Sequence, residues 1–264
     1  MLGILLGSVL AAVYLTVPSR LLGPLSKWTE RDFTAHYDET LAQLRRAAKI
    51  RPDEAETHHK LGIVLELRGR SDEAIAEYRQ ALEIKPLFVT HYNLGVVLQA
   101  RGRTDEAIVQ YRHALELQPD NADTRCDLGS ALGDCGRFDE AIAQFKQALQ
   151  IQPDNVGAQK NLAWLRATCP IALQRNGEEA AKLAERANRR CDGKRPDVLD
   201  TLAAAYAELG WFQEALAVES KALKLATQQH DEPLADELRS RITLYEGGKP
   251  YRQKLPAPAL PPKP

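Results

Sequence analysis

LGIVLELRGRSDEAIAEYRQALEIKP (residues 61–86), LGVVLQARGRTDEAIVQYRHALELQP (94–119) and LGSALGDCGRFDEAIAQFKQALQIQP (128–153) align without a gap. The copies start at Leu61, Leu94 and Leu128, so the offsets are 33 and then 34 residues. Self-similarity at that period marks a stacked array in which each unit buries its apolar face on its neighbours. Such arrays offer concave binding surfaces rather than enclosed active sites.

Each copy reads as two helices. The first carries a Leu-Gly pair (Leu61-Gly62, Leu94-Gly95, Leu128-Gly129) and a second Leu one turn on (Leu65, Leu98, Leu132), which puts both Leu side chains on one face. A glycine inside a helix costs about 1 kcal/mol relative to alanine. Its return in three copies predicts that the partner helix approaches closely there. Gly69-Arg70, Gly102-Arg103 and Gly136-Arg137 mark the break between helices, with glycine suited to a C-terminal cap. Asp-Glu-Ala-Ile follows in every copy. Its acids suit the positive end of the second helix, and Ser71 and Thr104 are expected N-caps. Ala74/Ala81, Ala107/Ala114 and Ala141/Ala148 lie seven residues apart, with Tyr78, Tyr111 and Phe145 between them. Pro86, Pro119 and Pro153 end the second helix. All of these are expected to be packing residues.

This pattern of Leu-Gly, Ala, Phe/Tyr, Ala and Pro resembles the tetratricopeptide repeat family. The resemblance implies an all-α, right-handed superhelical solenoid of helix–turn–helix repeats over residues 53–229, about five repeats with the outer ones degenerate. Thr40, Leu44, Ala47 and Pro52 match only the second half of a repeat, so residues 20–52 are expected to hold a juxtamembrane segment and a capping helix. Asn161-Leu162-Ala163 opens a fourth copy with extra residues around Cys169-Pro170. A fifth runs through LDTLAAAYAELGWFQEALA, and residues 230–246 read as a polar-faced capping helix. NLAWLRATCP followed by LDTLAAAYAELG looks like a C-terminal module of many bacterial repeat proteins.

Thirty-five basic residues face thirty-six acidic ones, so there is no electrostatic support for nucleic-acid binding. The four cysteines show no Cys-x-x-Cys pair, which speaks against zinc and against a disulfide framework. The histidines fall in no recognisable nucleophile motif and no phosphate-cradling glycine loop is present. The expectation is a non-enzyme with no cofactor, no metal and no small-molecule substrate. Residues 1–19 carry no charged side chain and are near the lower limit for a spanning helix. They are expected to be an uncleaved single-pass membrane anchor, with a signal peptide or the end of a longer membrane protein as the competing readings. Arg20, Lys27 and Arg31 follow the span, which places the array on the cytoplasmic side; the periplasmic side is the alternative. Residues 247–264 are proline-rich and read as a disordered tail.

In the family that the repeats resemble, first helices line the concave groove. The resemblance implies groove positions His59, Ile63, Glu66, Tyr92, Val96, Gln99, Lys160 and Trp164 as partner-binding residues. Asn93 and Asn161 occupy a column that chaperone-tail receptors use for a carboxylate clamp, but apart from Lys160 the cationic partners are missing. The expected ligand is therefore a protein or peptide with apolar anchors, held by a scaffold at a membrane. The alternative is the regulatory or substrate-recruiting repeat portion of a membrane glycosyltransferase system.

Overall fold

The computed structural model describes residues 30–255. Among them are twelve α-helices, one short 3-10 turn and no strand. The chain divides into two compact units, Met1–Leu117 and Gln118–Pro264.

The first unit holds α1 (Glu30–Ile50), α2 (Ala55–Leu67), α3 (Ser71–Ile84), α4 (Phe88–Ala100) and α5 (Thr104–Leu117), each packed on the next. Two repeats, α2/α3 and α4/α5, follow the single helix α1. Ala74, Ala81, Ala107 and Ala114 are fully buried, and Tyr78 and Tyr111 lie between them at 0% and 1% exposure. The helical glycines are explained by these rings. A Cβ on Gly62 would stand 2.4 Å from Tyr78 Cε1, and one on Gly95 2.7 Å from Tyr111 Cε1. The ring of the second helix lies on bare backbone of the first, so the helix-propensity cost of glycine is exchanged for close packing.

Between the helices Gly69 and Gly102 adopt φ of +71° and +72°. The Gly69 N–H donates to Glu66 O and the Arg70 N–H to Leu65 O, both at 2.8 Å, which satisfies the last carbonyls of α2. Ser71 departs from its expected role. α3 begins at Ser71 itself, and the cap position belongs to Arg70, with no side-chain cap bond. The glycine turn places Arg70 one residue before the helix, and its guanidinium grips Glu73 through two bonds of 2.6 and 2.8 Å. Arg103–Glu106 and Arg137–Glu140 repeat this fork. α1 buries Tyr37, Thr40 and Leu41 against α2.

The second unit holds α6 (Ala122–Asp134), α7 (Phe138–Ile151), α8 (Val156–Thr168), a 3-10 turn (Ala172–Gln174), α9 (Gly177–Arg190), α10 (Pro196–Glu208), α11 (Phe212–Gln228) and α12 (Glu232–Glu246). Asn121, Asn155, Asn176 and Asp231 cap α6, α8, α9 and α12 with side-chain oxygens. First helices touch one another directly, α6 with α8 and α8 with α10. The extra residues of the fourth repeat form the loop that holds the 3-10 turn. Its return to α9 is fastened by the Asn176 N–H on Arg166 O at 2.8 Å and by Arg166 Nη1 on Gln174 O at 2.7 Å.

The expectation of a single-pass membrane protein is corrected. No helix among the described residues is long and apolar enough to cross a membrane. The longest, α1, has 21 residues but carries acids and bases along its length, and each would lose its hydration in hydrocarbon. Residues 1–19, on which the anchor reading rested, lie outside the described residues.

Candidate peptide-binding surfaces

In the first unit, α2 and α4 bring six of the expected groove residues into two neighbouring rows. Packing claims several of them. His59 is buried, with Nδ1 3.0 Å from Thr90 Oγ1 and its ring 5.7 Å from that of Tyr78. Burial holds its pKa below the ordinary imidazole value, so it is a neutral staple between repeats. Glu66 accepts the Tyr78 hydroxyl at 3.2 Å, and burial raises its pKa. Gln99 Oε1 accepts from Tyr111 at 3.0 Å. Tyr92 stacks on Phe88 at 6.2 Å and tilts against Tyr111 at 6.1 Å. Ile63 and Val96 are half-buried.

Ile63 lines the larger feature of this unit, a mainly apolar pocket of about 660 Å³. Its wall is made by His59 and Ile63 of α2, Ile84 at the end of α3, Leu87 before α4 and Val89 in its first turn. Asp53, Glu54, Glu56, Lys60 and Lys85 add charge to its lining, with Lys60 paired to Glu56 at 2.8 Å. Val89 is 44% exposed. The other histidines of the first helices serve structure. His58 bonds Glu77 at 2.7 Å and the Pro52 carbonyl at 3.1 Å, and His91 bonds Gln110 at 2.8 Å. Arg125 plays the same part in the second unit, on Pro119 O and Gln144.

The second unit places Lys160 and Trp164 on α8. Lys160 Nζ lies 3.0 Å from Asp197 Oδ2 of α10, so the cation is already paired. Asn161 donates to Ser130 Oγ at 2.9 Å, tying α8 to α6. Trp164 is covered from within the chain. The Arg241 guanidinium of α12 sits 5.0 Å from its ring centroid, and the Tyr251 ring 5.7 Å away. Arg241 also lies 4.9 Å from the Tyr251 centroid, so the cation sits against both rings where they meet. Beneath it, Arg241 Nη1 pairs with Asp200 at 2.9 Å, with both side chains below 10% exposure. Glu219 is fully buried beside them. Burial first, then the neighbouring Asp200 charge, raise the Glu219 pKa; burial also raises that of Asp200, against the pull of Arg241.

Sequence reasoning missed Arg241, Tyr251 and Arg252. Residues 247–264 read as a disordered tail, yet Tyr251, Arg252 and Gln253 pack on α8. Gly248 turns the chain with φ of +65°, and the Lys249 N–H closes on Leu244 O at 3.0 Å. The Gln253 N–H then donates to Thr168 O at 2.9 Å and Arg252 Nη1 to Ala167 O at 3.3 Å. Arg252 Nη2 meets Glu208 of α10 at 2.5 Å. The remainder of the tail, residues 256–264, lies outside the described residues. Among the described residues no group of three or more His, Cys, Asp or Glu could hold a metal ion. The cysteines are free thiols. Burial pushes the Cys126 pKa up to about 12, which leaves it a packed, unreactive thiol.

Three models described as tetratricopeptide repeat match residues 55–88, 87–154 and 126–196. The chain belongs to the tetratricopeptide repeat family. A stretch of 53 residues is 42% identical to the peroxisomal targeting signal receptor of Candida albicans. It makes up 20% of this chain and only 9% of that protein. Among solved structures, the tetratricopeptide protein YrrB superposes with a TM-score of 0.59 at 20% identity, covering 75% of this chain and 97% of that one. PilF of Pseudomonas aeruginosa does so with a TM-score of 0.54 at 22% identity, covering 75% and 94%. A thermophilic tetratricopeptide protein of Thermus thermophilus, TTC0263, gives 0.52 at 22% identity, covering 74% and 98%. At these identities the likeness establishes the fold, an all-α tetratricopeptide solenoid.

Proposed function

We propose that this tetratricopeptide protein is a non-catalytic scaffold that binds a peptide segment of a partner protein on its first-helix faces. The observation that carries the reading is the apolar pocket between α2 and α4. Ile63, Leu87 and Val89 form its apolar wall, with acids and lysines around it. Apolar anchors entering such a recess supply affinity through burial, and the charged residues around it add specificity. YrrB, described as having an unusual peptide-binding site, supports this use of the fold. His59, Glu66, Tyr92 and Gln99 shape the surface by holding the neighbouring repeat, so the anchoring contacts fall to Ile63, Val89 and Val96. On the second unit, Lys160 is paired with Asp197 and Trp164 is covered by the chain itself.

The test is photocrosslinking in cells from position 89 of the full-length protein, repeated with Ile63→Asp. A partner adduct that disappears with Ile63→Asp is the expected result. Adducts only within this protein, or a partner adduct indifferent to Ile63→Asp, would refute the pocket as the binding site.

A further inference from the structure

A helix leaves its last four carbonyls without internal partners. At the end of α8 these are satisfied one by one. Leu165 O accepts from the Cys169 N–H and Arg166 O from the Asn176 N–H. Ala167 O and Thr168 O accept from the strap formed by residues 249–255, through Arg252 Nη1 and the Gln253 N–H. The strap binds as a peptide ligand would, with a main-chain bond, a guanidinium on a carboxylate and a carbonyl, and an aromatic ring on a prepared cation. The surface beneath it is largely built without it. Arg241 is fixed by Asp200 and by Glu237 at 2.9 and 2.7 Å. Glu208 is held by Arg175 at 3.0 Å and is 15% exposed. Trp164 is anchored by α8 among Ala167, Ala180 and Ala204.

The strap also fills its seat incompletely. A cavity of about 230 Å³ remains beside it, bordered by Ser130, Gly133, Asn161, Trp164 and Gln253. The Gln253 side-chain carbonyl is buried there without a hydrogen-bond partner, a state that costs free energy. Lys254 and Leu255 are exposed. The strap is thus tethered at Gly248, bonded over three residues and imperfectly satisfied at the third, which describes a segment that can be exchanged.

We propose that the face of the second unit formed by α8, α10 and α12 is a binding surface for an extended peptide carrying an aromatic residue followed by arginine, and that Tyr251-Arg252 of this chain occupies it as an intramolecular competitor. The aromatic side chain packs against both Arg241 and the Trp164 ring. The arginine pairs with Glu208, and the next amide donates to Thr168 O. A ligand with this motif and a side chain that fills the cavity beyond Gln253 displaces the strap. This inference rests on the second unit alone and stands or falls independently of the pocket between α2 and α4.

A tethered segment presents itself at an effective concentration on the order of millimolar, so a free peptide at micromolar concentration is excluded until the strap is weakened. The probe is a fluorescein-labelled peptide with the sequence of residues 248–255, titrated by anisotropy against the full-length protein. With Tyr251→Ala and Arg252→Ala together in the protein, the apparent Kd is expected to fall at least tenfold relative to the unaltered chain. The same peptide bearing those two alanines should not bind. Arg252→Glu in the full chain is the second variant and should act in the same direction. In a background of Trp28→Phe and Trp211→Phe, acrylamide quenching of Trp164 should rise in either strap variant. Equal binding to the unaltered and strap-weakened proteins, binding to neither, or quenching that does not change would each overturn the proposal.

Discussion

Gly129 and Gly133 sit one turn apart on α6, and the same substitution at the two should move stability in opposite directions. A Cβ at Gly129 would meet Phe145 Cε1 at 2.7 Å, Cδ1 at 2.9 Å and Cζ at 3.0 Å. Carbon atoms pack best at about 3.5–4.0 Å, so the ring must retreat by roughly 0.7 Å. Phe145 is 3% exposed, and although it borders the cavity of about 230 Å³ beside Gln253, moving the ring disturbs its packed contacts. Overpacking of this kind costs about 1–3 kcal/mol. Removing a helical glycine returns up to about 1 kcal/mol, leaving Gly129→Ala destabilised by about 1–2 kcal/mol. At Gly133 the added Cβ meets only Ala141 Cβ, at 4.0 Å. The propensity gain is then unopposed, though Gly133 lies in the last turn, so the gain is about 0.5 kcal/mol. Urea unfolding followed by far-UV circular dichroism reads both. With a slope of about 2 kcal/mol per molar, Gly129→Ala should lower the midpoint by about 0.5–1 M and Gly133→Ala raise it by about 0.2 M. A Gly129→Ala midpoint at or above that of the unaltered protein would refute the reading of this column as a seat for the aromatic ring.

Three further outcomes follow from the same geometry. Glu219 holds its proton in the fold at neutral pH, while the unfolded chain releases it. Its stabilisation is therefore complete below the ordinary carboxylate pKa and declines as pH rises, by about 1.4 kcal/mol per unit. Glu219→Gln should gain on the order of 1–3 kcal/mol at pH 7, with the gain shrinking toward pH 5; denaturant melts at the two values check this, and a constant gain would contradict it. Arg241→Ala leaves Asp200 without its cation and should cost about 3–5 kcal/mol, whereas Asp200→Asn with Arg241→Met should recover much of that loss, as a double-mutant cycle would show. Gly102→Ala meets nothing within 4 Å, so its cost is that of a left-handed residue alone, about 1–2 kcal/mol; Gly102→Asn should cost less, and equal melting midpoints for the two would argue against the conformational explanation.

The repeats were legible because their signals are local and recur. The Leu-Gly pair, the glycine turn, the alanine spacing and the terminal proline each report a contact within a repeat or with the next one, and each appears three times. Even the purpose of Gly62, Gly95 and Gly129 could be inferred, since only a close approach justifies a repeated loss of helix propensity. Ser71 was misplaced by one position because the cap rule is blind to the bidentate Arg70–Glu73 pair that the glycine turn sets up. Among the groove residues, column position said which helix face they occupy but not whether a neighbouring side chain already uses them. His59 on Thr90 and Lys160 on Asp197 are partnerships between repeats of different sequence.

By itself the sequence determined the architecture, because an array of like units is specified by a period and by contacts that any one copy displays. Only the tertiary structure decided what lies over Trp164. The Arg252 guanidinium reaches the Ala167 carbonyl across 85 positions of chain, and Arg241 reaches Asp200 across 41. Each such contact occurs once, in no column and at no period, and its residues read in isolation as solvated charge. They meet because α12 and the Gly248 turn carry the chain back onto the end of α8, where the last two carbonyls lack partners within the helix and Glu208 has an oxygen left for a second cation.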